Sequence, residues 1–526
     1  MANKKLQVWL PLLISSSMAA GIWAGFKLQG NINWKSKVTG VTNTTTVQQI
    51  IDLINYKYVD SLTNDSLELD AISAITKQLD PHSIYISPDK LAAENAQIQG
   101  NFTGIGIEYY MFNDTLTVVN VMRKGPSEKA GVKVGDQILK VEANNIAGVD
   151  VTTARLQELL RGKPGTSVNI TIKRNTGTQD INITRGNIPL LSVDASYMVD
   201  SVIGYLRINK FSETTYPEFM EATNALISKG MKKMILDLRG NTGGLLVQAT
   251  HIADEFIKDG KVLVTTKGNS VGEKQITSSK IGVFETGELV VLIDEFSASA
   301  SEVLAGALQD HDRAIIIGRR SFGKGLVQEQ YNLNNGGALR LTVARYYTPT
   351  GRSIQMPYDR GNGDKYYEDF YERLGHVDDV RDSSKIKAYK TPAGKLVYDN
   401  GGITPDIVVT VDTTKNYRIL NQLSNRNVLS QTAFNIFRHS ADLSKMPIQQ
   451  FIQQYRFPAN NWENIKQEAI KDSINITGIT PQQKQDIDMQ LKALLGRFMF
   501  DNNGYFQIVN QRDSIVQRAV SYLHTH

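Results

Sequence analysis

The chain of 526 residues has no cysteine, which excludes a thiol nucleophile, a cysteine-ligated zinc site and disulfide stapling. Histidine is nearly as scarce, with seven residues scattered singly, and neither a metal nor a cofactor is expected. Charge of one sign is also missing. The 58 basic and 53 acidic residues leave +5, too little and too dispersed to point to nucleic acid or to a strongly acidic substrate. Apolar residues make up 41% of the chain and aromatics 8%, enough to bury a sizeable core in about three or four domains. Long apolar runs are rare, but one stands at the start. Lys4 and Lys5 precede LQVWLPLLISSSMAAGIWAGF, about twenty residues without a charge, long enough to cross a hydrocarbon core. Residues 1–30 are therefore expected to be a membrane anchor, spanning the inner membrane over 6–26, or a signal peptide cut near SSSMAA. Either one exports the remainder of the chain to the cell envelope, in a periplasmic or other extracytoplasmic space, and the lysines keep the short N-terminal side in the cytoplasm.

Periodicity divides the rest. Residues 43–100 read as a helical region, with Ile50, Ile51, Leu53, Ile54 and later Leu67, Leu69, Ile72 and Ile75 at helical spacing around the turn-prone SLTNDS. It ends at LDPHSIYISPDK, where the two prolines are expected to stop helices and lead into a loop. His82 in that loop reads as a hydrogen-bonded strut rather than a ligand or base. Residues 101–186 change to short β-like runs with one amphipathic helix, VTTARLQELLRG. Residues 187–412 alternate strands and helices, the pattern of an α/β core. In that stretch the helix YPEFMEATNALISKG is expected to turn Phe219, Leu226 and Ile227 inward, and NNGG joins two strands as a hairpin. Residues 413–526 return to helical spacing as a C-terminal extension, for which plain packing on the core, self-association into a homo-oligomer and substrate guidance are all open roles.

Chemistry concentrates where a strand meets a helix, in DEFSASASEVLAGALQD. Ser299 to Glu302 fits a capping box, and the unbonded amides of the same helix start also suit an oxyanion. A nucleophilic serine needs a base. His311 follows the helix that Ser299 begins, about 15 Å from it at 1.5 Å per residue, too far to serve. Lys324, in RRSFGKGLVQEQ, qualifies only if burial keeps it neutral. The stretch Gly318 to Lys324 also has the spacing of a phosphate-binding loop, but Gly325 stands where Ser or Thr belongs and a strand comes next instead of a helix.

Two features of 101–186 resemble PDZ domains: KGPSEKAGVKVGDQILKVEANNI, and FTGIGIEY, whose Gly104, Ile105, Gly106 and Ile107 correspond to the loop that holds a peptide carboxylate. One departure is EANN at 142–145, where the family has a small polar residue and a glycine, which puts that turn in question. Together with DEFSASASEVLAGALQD, the GKG lysine, DLRGNTGG, YTPTGRSIQ and GGITPDIVV in consistent order, the chain from about Thr45 to Asp412 is similar to the C-terminal processing peptidases, or tail-specific proteases. The resemblance implies a crotonase-like (ClpP/crotonase-type) protease core with an inserted PDZ-like domain. It makes Ser299 the nucleophile, Lys324 its general base and Gln328 the residue that orients the lysine. Ala300 and the turn at Gly243 and Gly244 would supply the oxyanion hole, whichever glycine donates. A strand of four residues spans about 13 Å, so direct contact between Lys324 and Gln328 requires a bend. The partners implied are the C-termini of unfolded or tagged proteins. A non-catalytic exported PDZ scaffold that binds such tails is the rival.

Overall fold

A computed structural model describes residues 45–60, 64–175, 177–374, 386–399, 401–410, 417–440, 442–458 and 461–526. The segment expected to anchor the chain, 6–26, lies outside the described residues, and among those described no helix is long and apolar enough to cross a membrane. The chain divides into two compact units, one ending at Thr76 and the other running from Lys77 to His526. The described part of the first holds α1 (Thr46–Lys57) and α2 (Asn64–Thr76), separated where SLTNDS predicts a break. Thr45 caps α1 by accepting a hydrogen bond from the Gln48 amide, and Val47, Ile50 and Leu53 lie exposed.

The second unit begins with a loop, the short strand β1 (Ile84–Ile86) and α3 (Pro88–Gln99). Pro88, expected to stop a helix, opens one, because the N–H it lacks is one that a first helical turn leaves unbonded anyway. Next, β2 (Asn101–Gly104) pairs with β9 (Gly186–Pro189). Between them a sheet runs in the order β3 (Ile107–Phe112), β4 (Thr115–Val121), β5 (Gln137–Val141), β7 (Ser167–Arg174), β8 (Gly177–Thr184), with β6 (Asn144–Asn145) on β5. Two helices, α4 (Pro126–Lys129) and α5 (Thr153–Leu160), complete it. Alternate residues of β7 and β8, Val168, Ile170, Ile172, Ile181 and Ile183, point to one face and bury against Leu156 and Leu160 of α5. The turn in EANN forms although no glycine is there. Glu142 sits at φ 52, and its amide donates to the Asn169 carbonyl (2.8 Å) while its carboxylate accepts from the Asn169 amide (2.9 Å).

The central sheet has the order β10 (Val193–Met198), β11 (Ile203–Ile208), β12 (Lys233–Asp237), β15 (Glu288–Ile293), β16 (Ile315–Gly318), β21 (Ile407–Val408); β10 is antiparallel to β11 and every other pair is parallel. Its middle strands are apolar at consecutive positions because both faces are covered. On one side α6 (Thr215–Ser228), α7 (Leu246–Asp254) and α8 (Ala300–Asp310) bring Phe219, Leu226, Ile252 and Leu304 onto Leu206, Leu236 and Val291. Ile227, expected inward, is 38% exposed, since it stands about 100° round the helix from Leu226.

The other side is covered by the last helix, α15 (Ser514–Thr525), whose Ile515, Val516, Ala519 and Leu523 meet Tyr205, Ile235, Val290 and Leu292. Residues read as an appended extension therefore complete the core. The two faces of a buried parallel sheet both need cover, and among the described residues the second face is covered by α15. Asp513 caps α15 and takes an ion pair from Arg239 at 2.7 Å, which ties that helix to the turn after β12.

A second sheet joins β1, β13 (Val262–Gly268), β14 (Gly272–Thr277), β17 (Leu326–Asn332) and β18 (Ala338–Tyr347), with β17 and β18 forming the hairpin predicted around NNGG. It is followed by α9 (Gly363–Arg373) and a small hairpin of β19 (Ala388–Lys390) and β20 (Leu396–Tyr398). The remaining helices, α10 (Arg418–Asn425), α11 (Val428–His439), α12 (Ile448–Gln454), α13 (Asn461–Lys471) and α14 (Pro481–Val509), share a core that includes Leu423, Leu429, Phe451, Ile465 and Leu491. They also meet β3 and β4: Phe112 packs on Phe434 (5.8 Å between ring centres), and Glu108 pairs with Arg497 at 3.2 Å.

Candidate active site

The serine turn links β15 to α8, and its three serines have different partners. Ser297 is buried; its hydroxyl donates to the Leu238 carbonyl (2.9 Å) and accepts from the Asp294 amide (3.0 Å). The Ser301 hydroxyl donates to the Asn241 carbonyl at 2.9 Å. Ser299 alone has a strained backbone, φ 55 and ψ −113, of a kind that costs about 1–3 kcal/mol and persists only where its surroundings enforce it. Its hydroxyl lies at the capping-box start of α8, beside the buried Tyr346 phenol.

What enforces the strain is Glu302. Its carboxylate is fully buried and holds four donors. Oε2 accepts from the amides of Ser299 (2.8 Å) and Lys324 (2.9 Å); Oε1 accepts from the Ser321 hydroxyl (2.6 Å) and the Gly323 amide (2.7 Å). One carboxylate oxygen thus fastens the residue expected as nucleophile to the residue expected as base. Burial raises the Glu302 pKa against these donors. The glutamate is legible in the sequence as a capping-box partner; its bonds to 321–324 are not, because they cross between two loops.

Lys324 lies between β16 and β17, and a strand instead of a helix follows it directly, so the segment has the wrong geometry for a phosphate loop. Its Nζ donates to Gln328 Oε1 at 2.7 Å. The bend this contact needs is present: Lys324 precedes β17, and the ladder with β18 is irregular between Val327 and Gln328. Burial lowers the Lys324 pKa, the positive charge of Arg340 lowers it further, and Asp80 and Glu302 oppose the shift. Tyr346 donates to the Lys324 carbonyl, so one phenol touches both halves of the pair.

The glycine turn presses on Ser299 from the other side. A Cβ on Gly243, at φ 100, would stand 2.7 Å from Ser299 Cβ and 3.1 Å from the Ala300 nitrogen. The Gly243 amide is committed to Asn241 Oδ1 at 2.9 Å. The amides of Gly244 and Ala300 have no acceptor among the described residues. Gly243→Ala is expected to leave the fold in place and lower kcat/KM on the order of a hundredfold, by displacing the serine about an ångström; steady-state kinetics beside a thermal melt would show it.

His82 and His311 have different partners. His311 ends α8 and its Nε2 meets the Val262 carbonyl at 2.7 Å, far along the helix from Ser299. His82 is a strut, as its loop setting suggests, yet it stands at the site: its ring contacts Tyr366 and Phe322, and its carbonyl accepts from Gln328 Nε2 at 2.6 Å. Burial, helped by the Lys324 charge, pushes its pKa down to about 4. Among the described residues no acidic or histidine cluster could hold a metal ion.

The chain is similar to known proteins. Residues 202–358 match Peptidase family S41, and residues 103–184 match a PDZ domain. A carboxy-terminal-processing protease of Bartonella bacilliformis is 40% identical over 313 residues, covering 58% of this chain and 71% of the relative. The chain belongs to peptidase family S41. This S41 peptidase, a serine-type protease with a PDZ domain, is also 33% identical over 360 residues to a probable CtpA-like serine protease of Staphylococcus haemolyticus, covering 66% of the chain and 71% of that relative. Among solved structures, the photosystem II D1 C-terminal processing protease matches 70% of the chain and 94% of its own at 25% identity, with a TM-score of 0.36. Residues 419–501 of the S41 peptidase match a family of unknown function (DUF8443).

Proposed function

We propose that the chain is an exported endopeptidase that captures the C-terminal tail of unfolded or tagged proteins through its PDZ domain and cuts upstream peptide bonds with a Ser299–Lys324 dyad. The observation that carries the dyad is the shared Glu302 oxygen, which draws together a strained serine and a buried lysine. Ser299 Oγ attacks the scissile carbonyl carbon while neutral Lys324 Nζ takes the hydroxyl proton. The C–N bond then breaks as Lys324 returns that proton to the departing amine, leaving an acyl-enzyme ester. Water attacks the ester, Lys324 takes its proton and passes it to Ser299 Oγ, and the carboxylic product leaves. Gln328 Oε1 orients the lysine. For the oxyanion the unbonded amides of Ala300 and Gly244 are the better pair, since the Gly243 amide already serves Asn241. A crotonase-like core is supported by the parallel run β11–β12–β15–β16 with helices at its connections. Export is inferred from the apolar segment at 6–26, retained as an anchor or removed.

Tail capture draws on the loop from Gly104 to Ile107. The Ile105 and Gly106 amides have no acceptor among the described residues, as a carboxylate cradle requires, and a peptide would add as a strand at β3 beside α5. Amidation of the substrate tail tests this. A model peptide with an apolar free C-terminus is expected to be cleaved about tenfold more efficiently than its amide, through KM, because the charge-assisted bonds of the carboxylate are lost. Equal rates would reject tail capture, and a purified chain that binds such tails without cutting any of them would favour the non-catalytic scaffold.

A further inference from the structure

The LDPHS segment lies well before the residues that match the peptidase family, and nothing in the dyad reading assigns it a task. It ends up against the catalytic strand pair. Asp80 Oδ1 accepts from the His82 amide (3.0 Å), the Ser83 amide (3.1 Å) and the Thr342 hydroxyl (3.0 Å), and Oδ2 accepts from the Ser83 hydroxyl (2.6 Å). Ser83 Oγ in turn accepts from the Thr342 amide at 3.1 Å. Thr342 is the β18 residue registered opposite Gln328. The loop is therefore latched to the strand that pairs with Gln328, and its far end presents the His82 carbonyl to Gln328 Nε2. Tyr366, whose hydroxyl lies 3.3 Å from His82 Nε2, backs the ring.

We infer that the Asp80–Ser83 loop is a positioning element for the dyad, acting through the His82 carbonyl to lock the Gln328 amide with its oxygen toward Lys324. The reason is the two-ended chemistry of a primary amide. A carbonyl only accepts, so His82 fixes Nε2 on its own side and leaves Oε1 for the lysine. A neutral lysine amine has two N–H donors and one lone pair. Bonding an N–H to Oε1 orients the amine and keeps the lone pair for the serine proton, and the same oxygen then stabilises the ammonium that forms. A flipped glutamine would set its NH2 against the amine, and would compete for that lone pair. The cited bonds of Asp80, Ser83 and Thr342 run among themselves, so they act on the dyad as positioning residues.

This rests on the Ser299–Lys324 reading, and the test separates the two. In the full chain, with an apolar-tailed peptide substrate, Ser83→Ala is expected to lower kcat on the order of tenfold with KM unchanged, a part of the roughly 10²–10⁴-fold that a positioned base supplies. Ser83→Thr, which keeps the hydroxyl, restores it. The double variant Gln328→Ala/Ser83→Ala is expected to be no slower than Gln328→Ala alone, because the loop works through that side chain. Asp80→Asn gives a second reading that survives if Ser83→Ala folds poorly. Asp80 accepts the bonds that latch the loop, so Asp80→Asn is expected to lower kcat in the same way with KM unchanged. Multiplicative losses in the double variant, or an unchanged kcat in Asp80→Asn, overturn the inference. Retained activity in Lys324→Ala would instead overturn the dyad beneath it.

Discussion

Ser299→Ala and Lys324→Ala are each expected to abolish cleavage of an unfolded model substrate, with a fall in kcat/KM on the order of 10⁴-fold or more and no change in melting temperature that would explain it. Ser299 supplies the attacking oxygen and Lys324 the acceptor for its proton, so losing either stops the same step, and the double variant should be no worse than the singles. Ser297→Ala separates a nucleophile from a structural serine. It keeps the dyad but leaves the Leu238 carbonyl and Asp294 amide without their partner, at about 1–3 kcal/mol of stability. The pH profile carries the same test in another form. Burial and the Arg340 charge disfavour the protonated lysine, so the base becomes competent at a pH below the ordinary lysine value. The kcat/KM profile should rise with pH below about 10.4. A rise first seen near that value, or undiminished cleavage by Lys324→Ala, would end the proposal.

Glu302→Ala is expected to be the most damaging single change outside the dyad, costing about 3–5 kcal/mol together with all activity. Four donors would lose one acceptor at once: two amides, one hydroxyl and the Ser299 amide whose strained conformation depends on it. Glu302→Gln should fold better, since a carbonyl oxygen remains, but its NH2 would face donors and push apart the Ser299 and Lys324 segments. A urea midpoint for each variant, set beside its turnover, distinguishes a collapsed core from a misplaced serine. A stable, active Glu302→Ala protein would show that the carboxylate does not hold the site.

Much of this was legible in the chain, for identifiable reasons. The NNGG hairpin and the buried central strands arise from short-range pattern, as does the break between α1 and α2. So does the position of Ser299 at a helix start. Where the reading failed, the exact position within a helix decided. Pro88 carries the signal of a helix stop but sits where a helix tolerates it best, and Ile227 looks apolar enough for the core but lies on the wrong side of its helix. The glutamate in the capping box shows both effects: its reach to the Ser299 amide is local, and its other three bonds come from residues nineteen to twenty-two positions away.

By itself the sequence determined which elements form and that a PDZ-like insertion interrupts the N-terminal part, because periodicity and turn chemistry are properties of neighbouring residues; the serine, lysine and glutamine to examine came from the resemblance of its motifs to a family. Tertiary structure alone decided the rest. It gave α15 the second face of the core sheet, committed the Gly243 amide to Asn241, and put Glu302 between Ser299 and Lys324. It also brought the His82 carbonyl to Gln328 across 246 positions of chain. The physical reason is common to all four. A hydrogen bond or apolar contact is fixed by separation in space, and folding sets that separation independently of distance along the chain.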